Sequence, residues 1–129
     1  MREIKYRAWL PEWEMVTVSS VDMYDGKATG IMYIGDLLDG QADNFELMQW
    51  TGLVDKNGVD IYEGDVLSDT HKRTFEVRWQ SGYEPEMEVG FWLKKTYTNE
   101  IFPFHYTKDI GGLGMEVIGN IYENPELLK

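Results

Sequence analysis

Apolar and polar residues alternate one by one along several stretches, and this period of two constrains the fold more than any other feature of the chain. The segment Ile4–Ala8 puts three apolar side chains on one side and two bases on the other. Successive side chains of a β-strand point to opposite faces, so the pattern predicts a strand with one buried and one wet face. Alternation or β-forming composition predicts further strands at 15–18, 30–34, 65–67, 75–79 and 115–121. Half-buried strands of this kind favour antiparallel pairing.

Pairs of residues that tolerate a positive φ separate the predicted strands. Glycine adopts left-handed conformations freely, and Asp and Asn do so more readily than other residues. The pairs are Asp25-Gly26, Asp39-Gly40, Asn57-Gly58, Glu63-Gly64, Ser81-Gly82 and Gly111-Gly112. They predict hairpin connections between about eight or nine strands. Only Asp36–Met48 and the tail have helical potential, and in the tail Asn124-Pro125-Glu126 fits a helix N-terminus.

The length of the chain limits its domain organisation. A chain of 129 residues has room for one core, because single cores occupy on the order of 100 to 200 residues. We predict one domain, 1–129, of mainly β class (α+β with little helix). The acidic stretch Asp36–Asp43 separates an N-terminal hairpin region, 1–45, from a compact β-barrel region, 46–129.

The absence of certain residues and segments indicates the compartment. The chain has no cysteine, which removes thiol nucleophiles, thiolate metal sites and disulfides and fits a reducing compartment. The N-terminus lacks the apolar core of a signal peptide, and the apolar run 31–34 is far too short to cross a bilayer. We therefore expect a cytoplasmic protein that is not inserted in a membrane.

The charge is strongly negative and unevenly distributed. The net charge is −11, and residues 31–70 hold nine acids against one base, Lys56. Phosphate contacts require positive surface, so direct binding to nucleic acid is disfavoured and a basic partner is favoured. The alternative is that the acids form a solvated surface that keeps the chain soluble.

The residues that most often carry chemistry are not arranged as a catalytic, metal or phosphate site. His71 and His105 belong to no metal-binding spacing. The segment Asp55–Glu63 resembles a calcium loop, but Gly58 stands at its fourth position rather than its sixth, and a hairpin turn explains the same residues. Gly111–Gly114 lacks the context of a phosphate loop. We predict no catalytic residue, no cofactor and no metal.

Tryptophan and the acidic segment supply the candidate interaction surface. The chain has five tryptophans, more than a core of this size needs, and amphipathic aromatics are favoured at protein interfaces. Core packing is the alternative for any single one. The candidate residues are Trp9, Trp13, Trp50, Asp36, Asp39, Asp43 and Glu46.

Three blocks of sequence together resemble the YopX family of bacteriophage and prophage proteins. The blocks are Lys5-Tyr6-Arg7-Ala8-Trp9, then Leu47–Leu53 continuing through Asp55-Lys56-Asn57-Gly58 into Asp60–Val66, and finally Glu116–Leu128. The resemblance implies a β-rich fold with an SH3-like small barrel in the C-terminal half, a phage or prophage origin, the host cytoplasm and a homo-oligomer. It implies no activity and supplies no catalytic residues.

Three functions follow as hypotheses. The first is a non-enzymatic accessory protein that acts by protein–protein contact or self-assembly. The second is an acidic decoy that binds a basic nucleic-acid-binding protein of the host, through a contact that salt weakens. The third is an undetected carboxylate-dependent hydrolase whose acids meet only in the folded oligomer.

Overall fold

The computed structural model describes residues 4–12, 14–34, 39–80, 90–96, 98, 100–103 and 114–128. The described ranges contain eleven β-strands and one short 3₁₀ turn, Pro125–Leu128. The strands are β1 (Tyr6–Leu10), β2 (Glu14–Tyr24), β3 (Lys27–Ile34), β4 (Asp39–Ala42), β5 (Glu46–Val54), β6 (Asp60–Tyr62), β7 (Asp65–Ser68), β8 (Thr74–Gln80), β9 (Gly90–Lys95), β10 (Ile101–Pro103) and β11 (Glu116–Asn120).

The strands form two antiparallel sheets. The first has six strands in the order β4-β3-β2-β1-β5-β6, and the second has five in the order β10-β9-β8-β7-β11. Most neighbours in the sheets are also neighbours in sequence, as hairpin connections require. The predicted mainly β, antiparallel fold class is therefore confirmed. In the part of the chain that the structure describes, no ladder joins β10 to β11.

The chain divides into two compact units, Met1–Trp50 and Thr51–Lys129. In the first unit, Ala8 lies opposite Val16 on β2 and opposite Leu47 on β5. Ala8 and Val16 are buried, and they belong to a cluster with Leu10 and Ile31. The alternation that predicted a strand near the N-terminus thus produces one covered face of this sheet.

The second unit has a larger apolar core. Val77 lies opposite Leu93 in the β8–β9 ladder, and both side chains are fully buried. Burying one such side chain stabilises the fold by about 1.5–3 kcal/mol. The core cluster consists of Ile61, Leu67, Phe75, Val77, Leu93 and Met115, with Leu53 and Val117 packed against it.

Three of the predicted turns are confirmed. Asp25 and Gly26 have φ values of 52° and 78° and join β2 to β3. Positive φ at both central positions is the type I′ geometry that suits a two-residue hairpin. Gly58 and Gly64 also have positive φ, at 82° and 88°, in the turns before β6 and β7. The predicted turns at 81–82 and 111–112 lie outside the described residues.

The turn predicted at Asp39-Gly40 is wrong, because both residues belong to β4. Gly40 lies opposite Tyr33, and a Cβ at Gly40 would stand 2.8 Å from the Tyr33 hydroxyl. The glycine therefore permits the close approach of a tyrosine rather than a positive φ. The helical potential of Asp36–Met48 is also not realised where the segment is described, since it contains β4 and the beginning of β5.

The predicted helix in the tail is a single 3₁₀ turn, Pro125–Leu128. The amide of Leu127 donates to the carbonyl oxygen of Asn124 at 3.0 Å. The Asn124 side chain does not cap this turn but accepts the amide of Asn120 at 3.2 Å. Asn124 thus fixes the end of β11 to the tail.

Asp55 organises the turn between β5 and β6. Its side chain is 5% exposed, and Oδ1 accepts the amides of Asn57 at 2.8 Å and Val59 at 2.9 Å. The amide of Gly58 donates to the Asp55 carbonyl oxygen at 3.0 Å. An aspartate that binds backbone amides two and four positions ahead closes a turn without help from distant residues. The hairpin predicted at this position is confirmed.

The other carboxylate oxygen of Asp55 reaches a distant strand. Oδ2 accepts the amide of Val117 on β11 at 2.9 Å, and the amide of the next residue, Lys56, donates to the Met115 carbonyl oxygen at 3.0 Å. The Lys56–Glu116 ion pair at 3.5 Å is half exposed and adds little. The turn therefore binds backbone groups of β11. At an open sheet edge, such groups would bind solvent or another chain.

A second aspartate repeats this turn between β7 and β8. Oδ1 of Asp69 accepts the amides of His71 and Arg73, each at 2.9 Å, and Oδ2 pairs with the Arg73 guanidinium at 2.7 Å. The residue that matches Gly58 is Lys72, which has a φ of 64°. His71 is exposed in this turn.

Replacing Asp55 with Asn should destabilise the protein by about 2–3 kcal/mol, because an amide NH₂ would face the Val117 N–H and leave a buried donor unpaired. The free energy of unfolding in urea measures the change. The matched control is Asp43→Asn, an exposed position that should change stability by less than about 0.5 kcal/mol. Equal stability of the two variants would contradict the role given to Asp55.

Stability should fall in acid through Asp55 and Asp69. Burial raises the pKa of each carboxyl, but hydrogen bonds from backbone amides, together with Arg73 at Asp69 and Lys56 at Asp55, outweigh it and lower both pKa values below 3.8. A lowered folded pKa stabilises above the unfolded pKa, and this stabilisation is lost as the pH falls through the folded value. Unfolding measured from pH 7 downward should show wild type losing more stability below about pH 4 than Asp55→Asn. Parallel pH curves for the two proteins would refute this.

Candidate interaction surface

The register of the first sheet defines a second face, opposite the covered one. Arg7 lies opposite Thr17 on β2 and Met48 on β5, and Thr17 lies opposite Ile34 on β3. Since these residues alternate with the buried cluster, they share the other side of the sheet. We name this the outer face, and its described residues are Lys5, Arg7, Trp9, Met15, Thr17, Met32, Ile34, Glu46, Met48 and Trp50.

Burial changes steadily across the outer face. On β5, Met48 is 2% exposed, whereas on β3 Ile34 is 55% and Met32 is 39% exposed. Arg7 is half-buried and Thr17 is exposed between them. The face is therefore covered around Met48, whereas it is open to solvent at Thr17 and along β3, where the apolar side chains of Met32 and Ile34 meet water.

A cation–aromatic contact fixes one corner of the outer face. The Lys5 ammonium lies 4.2 Å from the centre of the Trp50 ring, and the Trp50 amide donates to the Lys5 carbonyl oxygen at 2.9 Å. Such a contact contributes about 0.5–1 kcal/mol where it is partly exposed. The contact therefore favours one orientation of the indole ring, and such a bias lowers the cost of ordering the ring on binding.

The structure places three of the predicted surface residues on the outer face. Trp9 lies directly opposite Glu46 in the β1–β5 ladder, and Trp50 follows further along β5. Asp43 is exposed in the bend before β5, and Asp39 lies in β4. Trp13 and Asp36 lie outside the described residues, as does the side chain of Asp39.

The predicted residues did not include Met15, Met32 and Ile34. Met15 pairs with Trp9 across β1 and β2, and the other two form the exposed end of the outer face. A signal for them is present, because Ile31–Ile34 is apolar at four successive positions. A strand of this composition has apolar side chains on both faces, whereas a strand with one wet face alternates.

The acidic segment 31–70 does not form one continuous acidic surface. The carboxylates of Asp55 and Asp69 bind the backbone amides of their turns, and Asp65, 1% exposed, accepts the Tyr62 amide at 2.8 Å. These three acids stabilise the fold of the second unit. Asp43 is exposed in the bend before β5, and Glu46 is exposed on the outer face.

The structure also shows the surroundings of the residues that were considered as chemical sites. Both carboxylate oxygens of Asp55 accept backbone amides, so the segment that resembles a calcium loop is a hairpin turn. His71 is exposed, and His105 lies outside the described residues. Within the described ranges, no group of three or more His, Cys, Asp or Glu side chains is arranged to hold a metal ion.

Comparison with known proteins identifies the family. The model of the YopX family, described as YopX protein, matches residues 5–129. No curated protein matches the chain. Among the described residues, no helix is long and apolar enough to span a membrane.

A solved structure has the same fold. The crystal structure of protein EF1440 from Enterococcus faecalis matches with a TM-score of 0.70 and 26% sequence identity, over 100% of both chains. The similarity therefore extends over both compact units, and not over one alone. With the family match running from Lys5 to the last residue, the chain belongs to the YopX family.

Proposed function

We propose that this YopX protein is a non-enzymatic interaction module that binds other protein chains through the outer face of its N-terminal sheet. The observation that carries the proposal is the exposure of Met32 and Ile34 on the same face as Trp9 and Trp50. Aromatic residues, methionine and arginine are enriched in protein interfaces relative to other surfaces. The outer face contains all three.

The change in burial across the outer face supports the same proposal. Trp9 and Trp50 are half-buried and Lys5 holds Trp50 in place, so ordering them on binding costs little. Ile34 and Met32 supply apolar area that a partner removes from water. A partly rigid aromatic centre beside an accessible apolar edge is the arrangement that interface hot spots favour.

The proposal also concerns the biological setting. We propose that the protein is a phage or prophage accessory protein that acts in the cytoplasm of the bacterial host. We propose that the chain first binds other copies of itself and so forms a homo-oligomer. The support for this setting is the YopX family itself.

The acidic decoy is the second candidate. Residues 28–54 contain four acids and no lysine, arginine or histidine, which favours a basic partner for this unit. Asp55, Asp65 and Asp69 bind backbone amides in turns, so the decoy surface would have to lie on the N-terminal unit.

A carboxylate-dependent hydrolase has less support. The lowered pKa values of Asp55 and Asp69 keep these carboxyls ionised at neutral pH. A general acid needs the opposite shift, which an apolar pocket provides. Neither aspartate is therefore suited to donate a proton.

The double substitution Met32→Thr and Ile34→Thr should weaken association by about tenfold or more, because it removes exposed apolar area while retaining β-forming residues. Light scattering over a range of concentrations measures self-association. Co-purification from a bacterial host, at low salt and near 1 M salt, measures binding to other proteins. A salt-sensitive basic partner would support the decoy form.

Ile118→Thr with Val59→Thr is the control, since both residues are exposed in the second unit, at 39% and 49%, and the change likewise removes exposed apolar area at two positions. It should leave association unchanged, and all variants should retain wild-type stability within about 0.5 kcal/mol. A wild-type protein that is monomeric and co-purifies with no protein would overturn the proposal, as would equal weakening by the control.

A further inference from the structure

We infer that β4 is a strand-addition site, at which the open edge of the N-terminal sheet binds an extended segment of a partner protein that alternates basic and apolar residues. The inference rests on the proposed function, because it specifies the chemistry of the partner and the form of the contact.

The first support is the position of β4 in its sheet. Ile31–Ile34 of β3 pairs with Asp39–Ala42 of β4, which stands last in the strand order. Among the described residues no strand lies on the other side of β4. The outer edge of a terminal strand presents backbone N–H and C=O groups, and an extended peptide pairs with such groups by strand addition.

The second support is that the remaining sheet edges are blocked or short. On β11, the Val117 amide and the Met115 carbonyl oxygen that precedes the strand are bound by the Asp55–Lys56 turn. Strand β10 ends in Pro103, which has no N–H to donate. Strand β6 has three residues, and one of its amides, that of Tyr62, binds Asp65. Strand β4 is also short, with four residues, but it contains no proline, and among the described residues no side chain binds its amides.

The third support is charge. Asp39 lies within β4, Asp43 directly follows this strand, and Glu46 begins β5, which is not adjacent to β4 in the sheet. Pairing of β4 with β4 of a second copy would bring Asp39 and Asp43 of one chain toward the same acids of the other, and like charges across strands are destabilising. A basic segment would instead be attracted to the same edge. The charge therefore favours a basic partner over a second copy.

The fourth support concerns the apolar positions of the incoming segment. Met32 lies opposite Gln41, and both side chains are exposed on the outer face beside Ile34. Every second side chain of an added strand would extend this face. At the edge of β4 these positions would lie beside Asp39 and Gln41, which stand opposite Ile34 and Met32 in the ladder, so bases there would meet the acid. Apolar residues at the alternate positions would lie beside Gly40 and Ala42.

The test is an NMR titration of the full chain with a blocked eight-residue peptide of alternating lysine and valine. Slower hydrogen exchange is expected at amides of β4, with chemical-shift changes in β3 and β4. Two comparison peptides separate the contributions. One has glutamate in place of lysine and should not bind, and the other is N-methylated at successive amides and should bind about tenfold more weakly, because it cannot donate to the edge.

Two variants distinguish the effect of the acids that follow β4 on peptide binding from the effect of the overall net charge. Asp43→Asn with Glu46→Gln should weaken binding of the lysine–valine peptide by about two- to fivefold, as loss of partly exposed ion pairs does. Glu123→Gln with Glu126→Gln is the matched control, since it makes the same change of charge at exposed positions in the tail. The control should leave the affinity unchanged.

Four results would overturn the inference. Equal affinity for the N-methylated peptide would show attraction by charge without strand pairing. Protection at β10 or β11 would place the site elsewhere. Concentration-dependent protection of β4 without peptide would show that a second copy occupies the edge. Association that the Met32→Thr/Ile34→Thr variant weakens, with no binding of the peptide, would leave the proposed function standing and reject only strand addition at β4.

Discussion

The carboxylate of Asp55 connects two parts of the chain that are 62 residues apart. One oxygen closes the turn after β5, and the other binds the amide of Val117 on β11. Because the turn and the strand both border the core of the second unit through Leu53, Ile61 and Val117, these hydrogen bonds fix the ends of the segments that cover that core. A buried acid of this kind is stable only when its oxygens are satisfied, as they are here.

The acids of the chain have different physical roles. Asp55, Asp65 and Asp69 are buried or nearly so and accept backbone amides, so their charge is neutralised locally by N–H dipoles. Asp43 and Glu46 are exposed near the outer face, where their charge acts on whatever approaches. The net charge of −11 therefore overstates the acidity that a partner meets on the second unit. On the first unit, the carboxylates of Asp43 and Glu46 are exposed to a partner.

Local sequence patterns predicted local structure, but they could not predict which distant strands pair with each other. The alternation at Ile4–Ala8 and the positive φ at Asp25-Gly26 depend on neighbouring residues, and both predictions were confirmed. Asp39-Gly40 has the same composition as a turn, but Tyr33 packs on Gly40 and holds the pair in a strand. Likewise, tryptophan content predicted interface residues. That Trp9 and Glu46 meet depends on the pairing of β1 with β5, which no short segment encodes.

The two aspartate turns have a consequence for how distant relatives are recognised. The turn at Asp55 has glycine at its left-handed position, and the turn at Asp69 has Lys72 there, with the same hydrogen bonds to the aspartate. The side-chain acceptor thus determines the turn, and glycine only lowers its conformational cost. The turn geometry therefore tolerates a residue other than glycine at its left-handed position, whereas it depends on the aspartate. We expect an alignment anchored on the aspartate and on the spacing to the next strand to detect homologues that an alignment anchored on Asn-Gly overlooks.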